Sequence, residues 1–267
     1  MIKITVAIPT YFSSKFISNT IKPFLAHKAF NEIIITDDSE SSKEYNDLYT
    51  EVKSLLENSQ IDQKISKNKS NLGGFKNKYS CIEQSSNDFV YQIDSDNIPF
   101  NFSLKYLSNL DLNSIDNSIL YLPSKIYLFK KFKYEYIYKK SNKVIYSKKT
   151  KLFDFETIKK AIKNNEKFVN RRNINWLLNT GNPFFYKTAY LENTKKGLSL
   201  SKDTLSADAI AMAYYWLKSN SQVSISSFLS HFHKTRDESY FVSQGATAID
   251  SISYFKEKIV NEHTCNS

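Results

Sequence analysis

Two carboxylates two positions apart follow an apolar stretch in the first half of the chain, at Asp94-Ser95-Asp96. The stretch before them, Phe89–Ile93, has the composition of a buried strand, so the pair lies at a strand end. Carboxylates at such a turn can both face a hard divalent cation. A cation of this kind neutralises a diphosphate and makes it a better leaving group. Asp-x-Asp alone is also typical of a solvated turn, but its position at a strand end favours phosphate chemistry around a divalent cation.

Polar groups follow the other strand candidates of the first hundred residues in the same way. The strand ends are followed by Pro9-Thr10-Tyr11, Asp37-Asp38-Ser39 and Asn71-Leu72-Gly73-Gly74. Ligands of a parallel sheet bind beyond the carboxyl ends of its strands, so these groups are predicted to line one site. The adjacent glycines indicate either a helix start that needs a positive φ or a backbone nest beside a phosphate or sugar.

Strand and helix patterns alternate through this part of the chain. Strands are predicted at Ile4–Ile8, Glu32–Thr36, Ile61–Ser66 and Asp88–Ile93, and helices at Phe16–Lys28, Glu44–Glu57 and Gly73–Gln84. This order predicts an α/β fold with a mostly parallel central sheet and helices on both faces. A length of 267 residues suits one large domain of this class.

From about residue 101 the pattern changes to short strands rich in Tyr, Ile and Phe. Strands are predicted at Ile119–Leu122, Lys125–Phe129, Tyr134–Tyr138, Lys143–Ser147 and Gln222–Phe228. Helices are predicted at Ser103–Leu110, Phe155–Lys167, Ser206–Ser219 and Ala248–Val260, with Ser206 as an N-cap. The two regions are predicted to be halves of one domain.

The formal net charge of +10 is concentrated in one segment, residues 121–175, which holds 16 Lys and Arg against 4 Asp and Glu. The segment is either a solvated surface or a surface for an anionic membrane, a lipid-linked phosphate or an acidic polysaccharide. No nucleic-acid-binding motif accompanies the charge, so we expect no specific nucleic-acid partner.

The cysteine and hydropathy patterns bear on where the protein works. Cys81 and Cys265 form neither a disulfide framework nor a Cys-x-x-Cys site, which favours a reducing compartment. The chain has no apolar run of about 18 residues and no signal-peptide pattern at its first residues. We therefore expect a cytoplasmic protein, with peripheral attachment to a membrane through residues 121–175 as the open alternative.

The four strand-end motifs, taken in order, resemble those of family 2 glycosyltransferases across roughly residues 1–100. The matching segments are Val6–Tyr11, Ile34–Ser39, Asn71–Gly74 and Asp94–Asp96. The resemblance implies the Rossmann-like GT-A fold and the inverting transfer of a sugar from a nucleotide diphosphate sugar, UDP-linked or similar, to a hydroxyl of a glycan or lipid-linked acceptor in polysaccharide biosynthesis. It implies Mn²⁺ or Mg²⁺ as cofactor. It makes residues 1–100 the donor half and 101–267 the acceptor half, with a basic insertion at 121–175.

The same resemblance assigns residues to the donor and the metal. The donor-binding set comprises Pro9, Thr10, Tyr11, Asp38, Asn71, Gly73, Gly74, Asp94, Ser95 and Arg236. Tyr11 is expected to stack on the nucleobase and Asp38 to accept a hydrogen bond from it, with Asp37 in support. The metal ligands implied are Asp94, Asp96 and His233, with His231 as the alternative to His233. Lys234 is the alternative to Arg236 on the diphosphate.

The general base of the family lies at the start of a helix, which Asp208 matches here. Ala207 stands where the first acid of the family often lies, and Asp203 is the second candidate for the base. A carboxylate in the first turn also favours the helix dipole, which is the purely structural interpretation of Asp208. The acceptor-side residues implied are Trp176, Gly181 and Asn182, with Trp176 either a sugar platform or a core residue.

The segment after the base helix departs from one branch of the family. Processive synthases carry Gln-x-x-Arg-Trp there, whereas this chain has Ala213-Tyr214-Tyr215-Trp216-Leu217. The departure implies the addition of one or a few sugars. Two alternatives stay open. One is a sugar-phosphate nucleotidyltransferase, which normally has a glycine-rich first loop, and the other is a non-catalytic nucleotide- or anion-binding protein on the same scaffold.

Overall fold

The computed structural model describes residues 2–111, 115–129, 150–165, 178, 181–219, 221–234 and 240–262. Within these ranges the chain forms nine strands of one sheet: β1 (Ile4–Thr10), β2 (Phe30–Asp37), β3 (Asp62–Lys67), β4 (Phe89–Gln92), β5 (Ile98–Pro99), β6 (Ile119–Phe129), β7 (Thr150–Phe153), β8 (Phe184–Tyr186) and β9 (Gln222–Lys234). Their order is β3-β2-β1-β4-β8-β6-β9-β5, and β7 pairs with β9. The longest pairings are parallel, which confirms the expected α/β fold.

The first half alternates strands and helices as its sequence pattern predicts. Its helices are α1 (Ile17–Ile21), α2 (Ser42–Leu56) and α3 (Gly74–Glu83), and α4 (Asn101–Ser108) begins the second half. Strand β1 lies between β2 and β4 and is parallel to both. Helix α2 begins where the Ser41 side chain accepts a hydrogen bond from the Glu44 backbone N–H, a regular N-cap. The carboxyl ends of β1, β2 and β4 therefore lie at one edge of the sheet.

Two prolines shift the predicted boundaries. The helix predicted from Phe16 to Lys28 is a short α1 followed by a 3₁₀ helix at Lys22–Ala26, because Pro23 has no N–H for the α-helical ladder. Strand β1 instead continues past Pro9. This is tolerated because β4 stops pairing with β1 at Ala7, so beyond that point β1 pairs with β2 alone.

After α4, the second half contributes β6 to β9 and four more helices: α5 (Phe155–Lys163), α6 (Lys187–Thr194), α7 (Asp208–Lys218) and α8 (Tyr240–Asn261). The two strands predicted around Pro123 are the single strand β6, whose register with β9 shifts between Pro123 and Lys125. The prediction of Ser206 as an N-cap is wrong, since Ala207 holds that position. The strands predicted at Tyr134–Tyr138 and Lys143–Ser147 lie outside the described residues, as does much of the basic segment 121–175.

The sheet buries apolar side chains on both faces. In β1, Ile4, Val6 and Ile8 pack against α1 and α2, whereas Ala7 packs on the opposite face against α3 and α7. A strand covered on both faces needs no polar positions, which explains the unbroken run Ile33-Ile34-Ile35 in β2. The two layers of helices fix the sheet, and with it the positions of the strand ends. No described helix is long and apolar enough to cross a membrane.

A buried carboxylate closes the amino-terminal edge of the sheet, opposite the strand ends with the polar motifs. Glu32 is 2% exposed and accepts hydrogen bonds from the Thr5 hydroxyl and the Ser86 backbone N–H. Lys64 Nζ lies 3.1 Å from Glu32 Oε1. Burial by itself raises the pKa of this carboxyl, but the hydrogen bonds and the lysine outweigh it and hold the pKa below its usual value.

Replacing Glu32 with Gln is expected to lower the free energy of unfolding near neutral pH by about 1–3 kcal/mol. The reason is that the Thr5 hydroxyl, the Ser86 N–H and the Lys64 ammonium lose the charged group that they share. The folded-state pKa is depressed, so this stabilisation is present above the unfolded pKa of Glu and is lost as the pH falls through the folded value. Urea unfolding curves near neutral pH and near pH 3 should show the gap between wild type and variant closing in acid. A gap of equal size at both pH values contradicts this account.

Candidate active site

The ends of β1 and β2 are tied together by side chains. Thr10 pairs with Asp37 in the parallel register, and its hydroxyl donates to Asp37 Oδ1 at 3.1 Å. Asp37 also accepts the backbone N–H and the hydroxyl of Ser39, so its carboxylate closes the turn after β2. Burial raises the pKa of Asp37. Asp37 thus fixes the backbone from which Asp38 projects.

The Asp38 carboxylate holds the glycine loop in place. Its Oδ1 accepts from the Leu72 backbone N–H and from Asn68 Nδ2, both at 2.8 Å, and its Oδ2 accepts from the Gly73 backbone N–H at 2.9 Å. Asn71 Oδ1 accepts from the same Gly73 N–H at 3.0 Å. A carboxylate has about four acceptor positions, so one remains for the predicted hydrogen bond from a nucleobase.

Both glycines of the loop are required by their surroundings. Gly73 has a φ of 80°, in the left-handed region, and a Cβ on it would lie 2.7 Å from Lys202 Cγ. A Cβ on Gly74, the first residue of α3, would lie 2.4 Å from Asp208 Oδ2. The glycine pair therefore lets the loop turn and brings the carboxylate of Asp208 against the start of α3.

The turn Asp94-Ser95-Asp96 is held by groups from three directions. The Asp94 backbone N–H donates to Asn182 Oδ1 at 2.8 Å. Its carboxylate accepts from Gln92 Nε2 at 3.1 Å and from Asn97 Nδ2 at 3.4 Å. The hydroxyls of Ser95 and Ser13 lie 2.6 Å apart and share a hydrogen bond, so Ser95 joins this turn to the loop after β1.

Asp94 and Asp208 meet at Lys78, a residue that did not stand out in the sequence. Lys78 Nζ lies 3.1 Å from Asp94 Oδ1 and 3.0 Å from Asp208 Oδ2. Burial raises the pKa of Asp208, although the ammonium of Lys78 opposes that rise. The sequence did offer one indication of Lys78. It lies four residues after Gly74, so both residues are on the same face of α3 and Lys78 faces the same site as the glycine loop. The structure thus brings two carboxylates that are far apart in the sequence to the ammonium group of Lys78.

Asn182 links the Asp94 turn to β9. Gly181 and Asn182 both have positive φ, 62° and 54°, and Asn182 Nδ2 donates to His231 Nε2 at 2.8 Å. His231 is fully buried, and burial lowers its pKa to about 3, so it is neutral at physiological pH. His233 lies on the same side of β9, with its ring centroid 6.3 Å from that of His231, and is partly exposed. Of the two histidines, His233 is the more exposed.

The predicted metal ligands Asp94, Asp96 and His233 do not form a metal-binding cluster by themselves. Among the described residues, no three or more His, Cys, Asp or Glu side chains converge on one point. Asp94 already pairs with Lys78, while Asp96 and His233 are partly exposed. Mg²⁺ is often bound by one or two carboxylates together with substrate phosphates, and that chemistry suits this set.

Some residues predicted for the site are not described by the structure, and others lie at its margin. Trp176 and Arg236 lie outside the described residues. Asp203 is exposed in the turn before α7.

Tyr11 contacts Phe12 edge to face with ring centroids 4.8 Å apart, and Phe12 is 47% exposed with a positive φ of 48°. A bulky residue rarely adopts that conformation, so Phe12 is a further residue of this edge that sequence patterns do not reveal.

Comparison with known proteins identifies the architecture. No protein-family model and no curated protein matches the sequence. The structure of residues 1–349 of S. aureus TarS in complex with UDP-GlcNAc matches over 97% of this chain and 70% of that chain, with 16% identity and a TM-score of 0.62. The complex of TarS 1–349 with UDP matches over the same shares at 17% identity and a TM-score of 0.59. This chain spans 44% of a longer TarS structure. The chain therefore has the α/β fold of GT-A type that these TarS structures share.

Proposed function

We propose that this chain is a glycosyltransferase that moves a sugar from a nucleotide diphosphate sugar to a hydroxyl of a glycan or lipid-linked acceptor, with inversion. The observation that carries the proposal is the meeting of Asp94 and Asp208 around Lys78 at the carboxyl edge of the sheet. The shared fold supports it, because the matching TarS structures hold UDP and UDP-GlcNAc. A UDP-linked sugar is therefore the first donor to test.

Asp208 is the general base of the proposed reaction. Its Oδ2 contacts Lys78, which leaves Oδ1 to take the proton from the acceptor hydroxyl as that oxygen attacks the anomeric carbon. The bond from the anomeric carbon to the diphosphate oxygen breaks, and the nucleoside diphosphate leaves with the electron pair. A single displacement of this kind inverts the configuration. Burial, which raises the pKa of Asp208, makes its carboxylate a better proton acceptor.

The donor is proposed to lie across the edge formed by β1, β2 and β4. Pro9, Thr10 and Tyr11 line the base, with Phe12 beside Tyr11. Asp38 uses its remaining acceptor position for the base. These roles place the diphosphate beside Asp94 and the sugar near Gly181 and Asn182.

Asp96 and His233, with Asp94, would hold the divalent cation. When bound, Mn²⁺ or Mg²⁺ supplies positive charge to the departing diphosphate.

Nucleotide binding is expected to stabilise the chain. A thermal-shift screen of UDP, GDP, CDP and ADP, each with and without Mn²⁺, should show one base with a shift of roughly 5–10 °C near a hundredfold excess over its Kd. The shift should shrink in EDTA and in Asp96→Ala. Equal shifts with and without the metal in both proteins would exclude the metal role.

Turnover separates the proposed function from its alternatives. Hydrolysis of a panel of UDP-sugars should release UDP, whereas a nucleotidyltransferase acting on UTP and sugar phosphates would release pyrophosphate. A protein that binds UDP and Mn²⁺ but turns over no donor with any acceptor would instead be a binding protein on this scaffold.

A further inference from the structure

Lys78 is buried in a place where a lysine needs anionic partners. The residue is 8% exposed, and burial without partners would favour the neutral amine. Two carboxylates supply those partners, because Lys78 Nζ lies 3.1 Å from Asp94 Oδ1 and 3.0 Å from Asp208 Oδ2. The ammonium therefore stays charged between Asp94 and Asp208, and the three groups form one unit.

The two carboxylates depend on Lys78 to different degrees. Asp94 keeps several other contacts, from Gln92, Asn97 and Asn182. For the carboxylate of Asp208, the polar contacts among the described residues are Lys78 and the backbone N–H of Ala209. Loss of the lysine therefore leaves Asp94 in place and releases Asp208.

The surroundings of Asp208 add to this dependence. Its Oδ2 lies against Gly74, at the start of the helix that carries Lys78 one turn later. Without the ammonium, two carboxylates of like charge remain near each other in a largely buried site and repel. The Asp208 side chain then has an electrostatic reason to rotate away.

We propose that Lys78 is a positioning residue for the transfer reaction: its ammonium fixes the Asp208 carboxylate on Oδ2 so that Oδ1 is presented to the acceptor hydroxyl. The inference rests on the proposed function and deepens it. It assigns Lys78 to the base and not to the donor, because the donor-side carboxylate keeps its place without it.

The test compares Lys78→Met with Lys76→Met, a matched control on the same helix. Lys76 makes no ion pair in the part of the chain that the structure describes. Turnover is measured with the UDP-sugar that wild type hydrolyses fastest, and binding with UDP. Lys78→Met should lower kcat about 100-fold, the cost of a base misplaced by about 1 Å. The Kd for UDP should stay within about threefold of wild type, because ground-state binding is not what is lost.

Lys78→Arg should recover activity to within about tenfold of wild type, since a guanidinium can also bridge two carboxylates. Lys76→Met should behave as wild type. Two outcomes would overturn the inference: kcat of Lys78→Met close to wild type, or kcat and UDP affinity falling together with no recovery in Lys78→Arg.

If wild type turns over no donor, the proposed function is wrong. The coupling of Lys78 to Asp208 can still be tested in that case, by a measurement of stability. Adding Asp208→Asn to Lys78→Met should raise its melting temperature by about 5 °C, because the second change removes an unpaired buried carboxylate. The same change in wild type should lower the melting temperature. Equal effects in both backgrounds would show that the two side chains are not coupled.

Discussion

Asp208→Asn is expected to lower sugar transfer by about 10³-fold, because general-base catalysis contributes between about 10² and 10⁴ in rate. The amide has the shape of the carboxylate and can still accept a hydrogen bond from Lys78, so the fold should persist. The Kd for UDP should change little, since Asp208 is proposed to act on the acceptor hydroxyl and not on the nucleotide. Steady-state turnover of a UDP-sugar, with UDP binding measured separately, gives both quantities.

The matched variant is Asp203→Asn, which lies one turn ahead of α7 and is exposed. If Asp203→Asn abolishes transfer while Asp208→Asn leaves it intact, Asp203 is the base and the role of Asp208 is structural. If neither variant changes turnover, the base lies elsewhere in the chain.

Gly74→Ala is expected to lower transfer about 100-fold while the protein remains folded. The added methyl would lie 2.4 Å from Asp208 Oδ2, so the carboxylate must shift away from its contact with Lys78. Small displacements of a reacting group carry rate losses of this order. Gly74 is the first residue of α3, where alanine is otherwise well tolerated, so the melting temperature should fall by only a few degrees.

A double variant shows whether Gly74 acts through Asp208. In the Asp208→Asn background, Gly74→Ala should cost almost nothing further, because the group that it displaces no longer acts as a base. Lys76→Ala, on the same helix, controls for general effects on α3. Independent, multiplying losses from Gly74→Ala and Asp208→Asn would argue against the contact as the cause.

The first hundred residues could be predicted well because each of their signals is local. Short apolar runs, separated by helical segments, define β1, β2 and β4. A parallel sheet then places Thr10, Asp38 and Asp94 at one edge. The exception is the helix predicted at Phe16–Lys28. Its apolar residues have helical spacing throughout, but Pro23 lacks the N–H that a continuous α-helix needs at that position.

The contacts between the two halves could not be predicted in the same way. From its sequence, Lys78 has the pattern of a solvent-exposed residue on an amphipathic helix. It is buried in the structure because Asp208 of α7 packs against it. Ser206 reads as an N-cap, yet its hydroxyl donates to the Thr247 backbone oxygen in α8. In both cases a partner distant in the sequence decides the role of the side chain.

The link made by Asn182 also limits which residues can occupy that position. The backbone there has a φ of 54°, which glycine, asparagine and aspartate adopt most readily. The side chain must accept from the Asp94 N–H and donate to His231, which glycine cannot do, and an ionised aspartate has no hydrogen to donate. Anyone redesigning this chain for stability or for a new donor therefore has a single natural amino acid, asparagine, that meets all three demands at position 182.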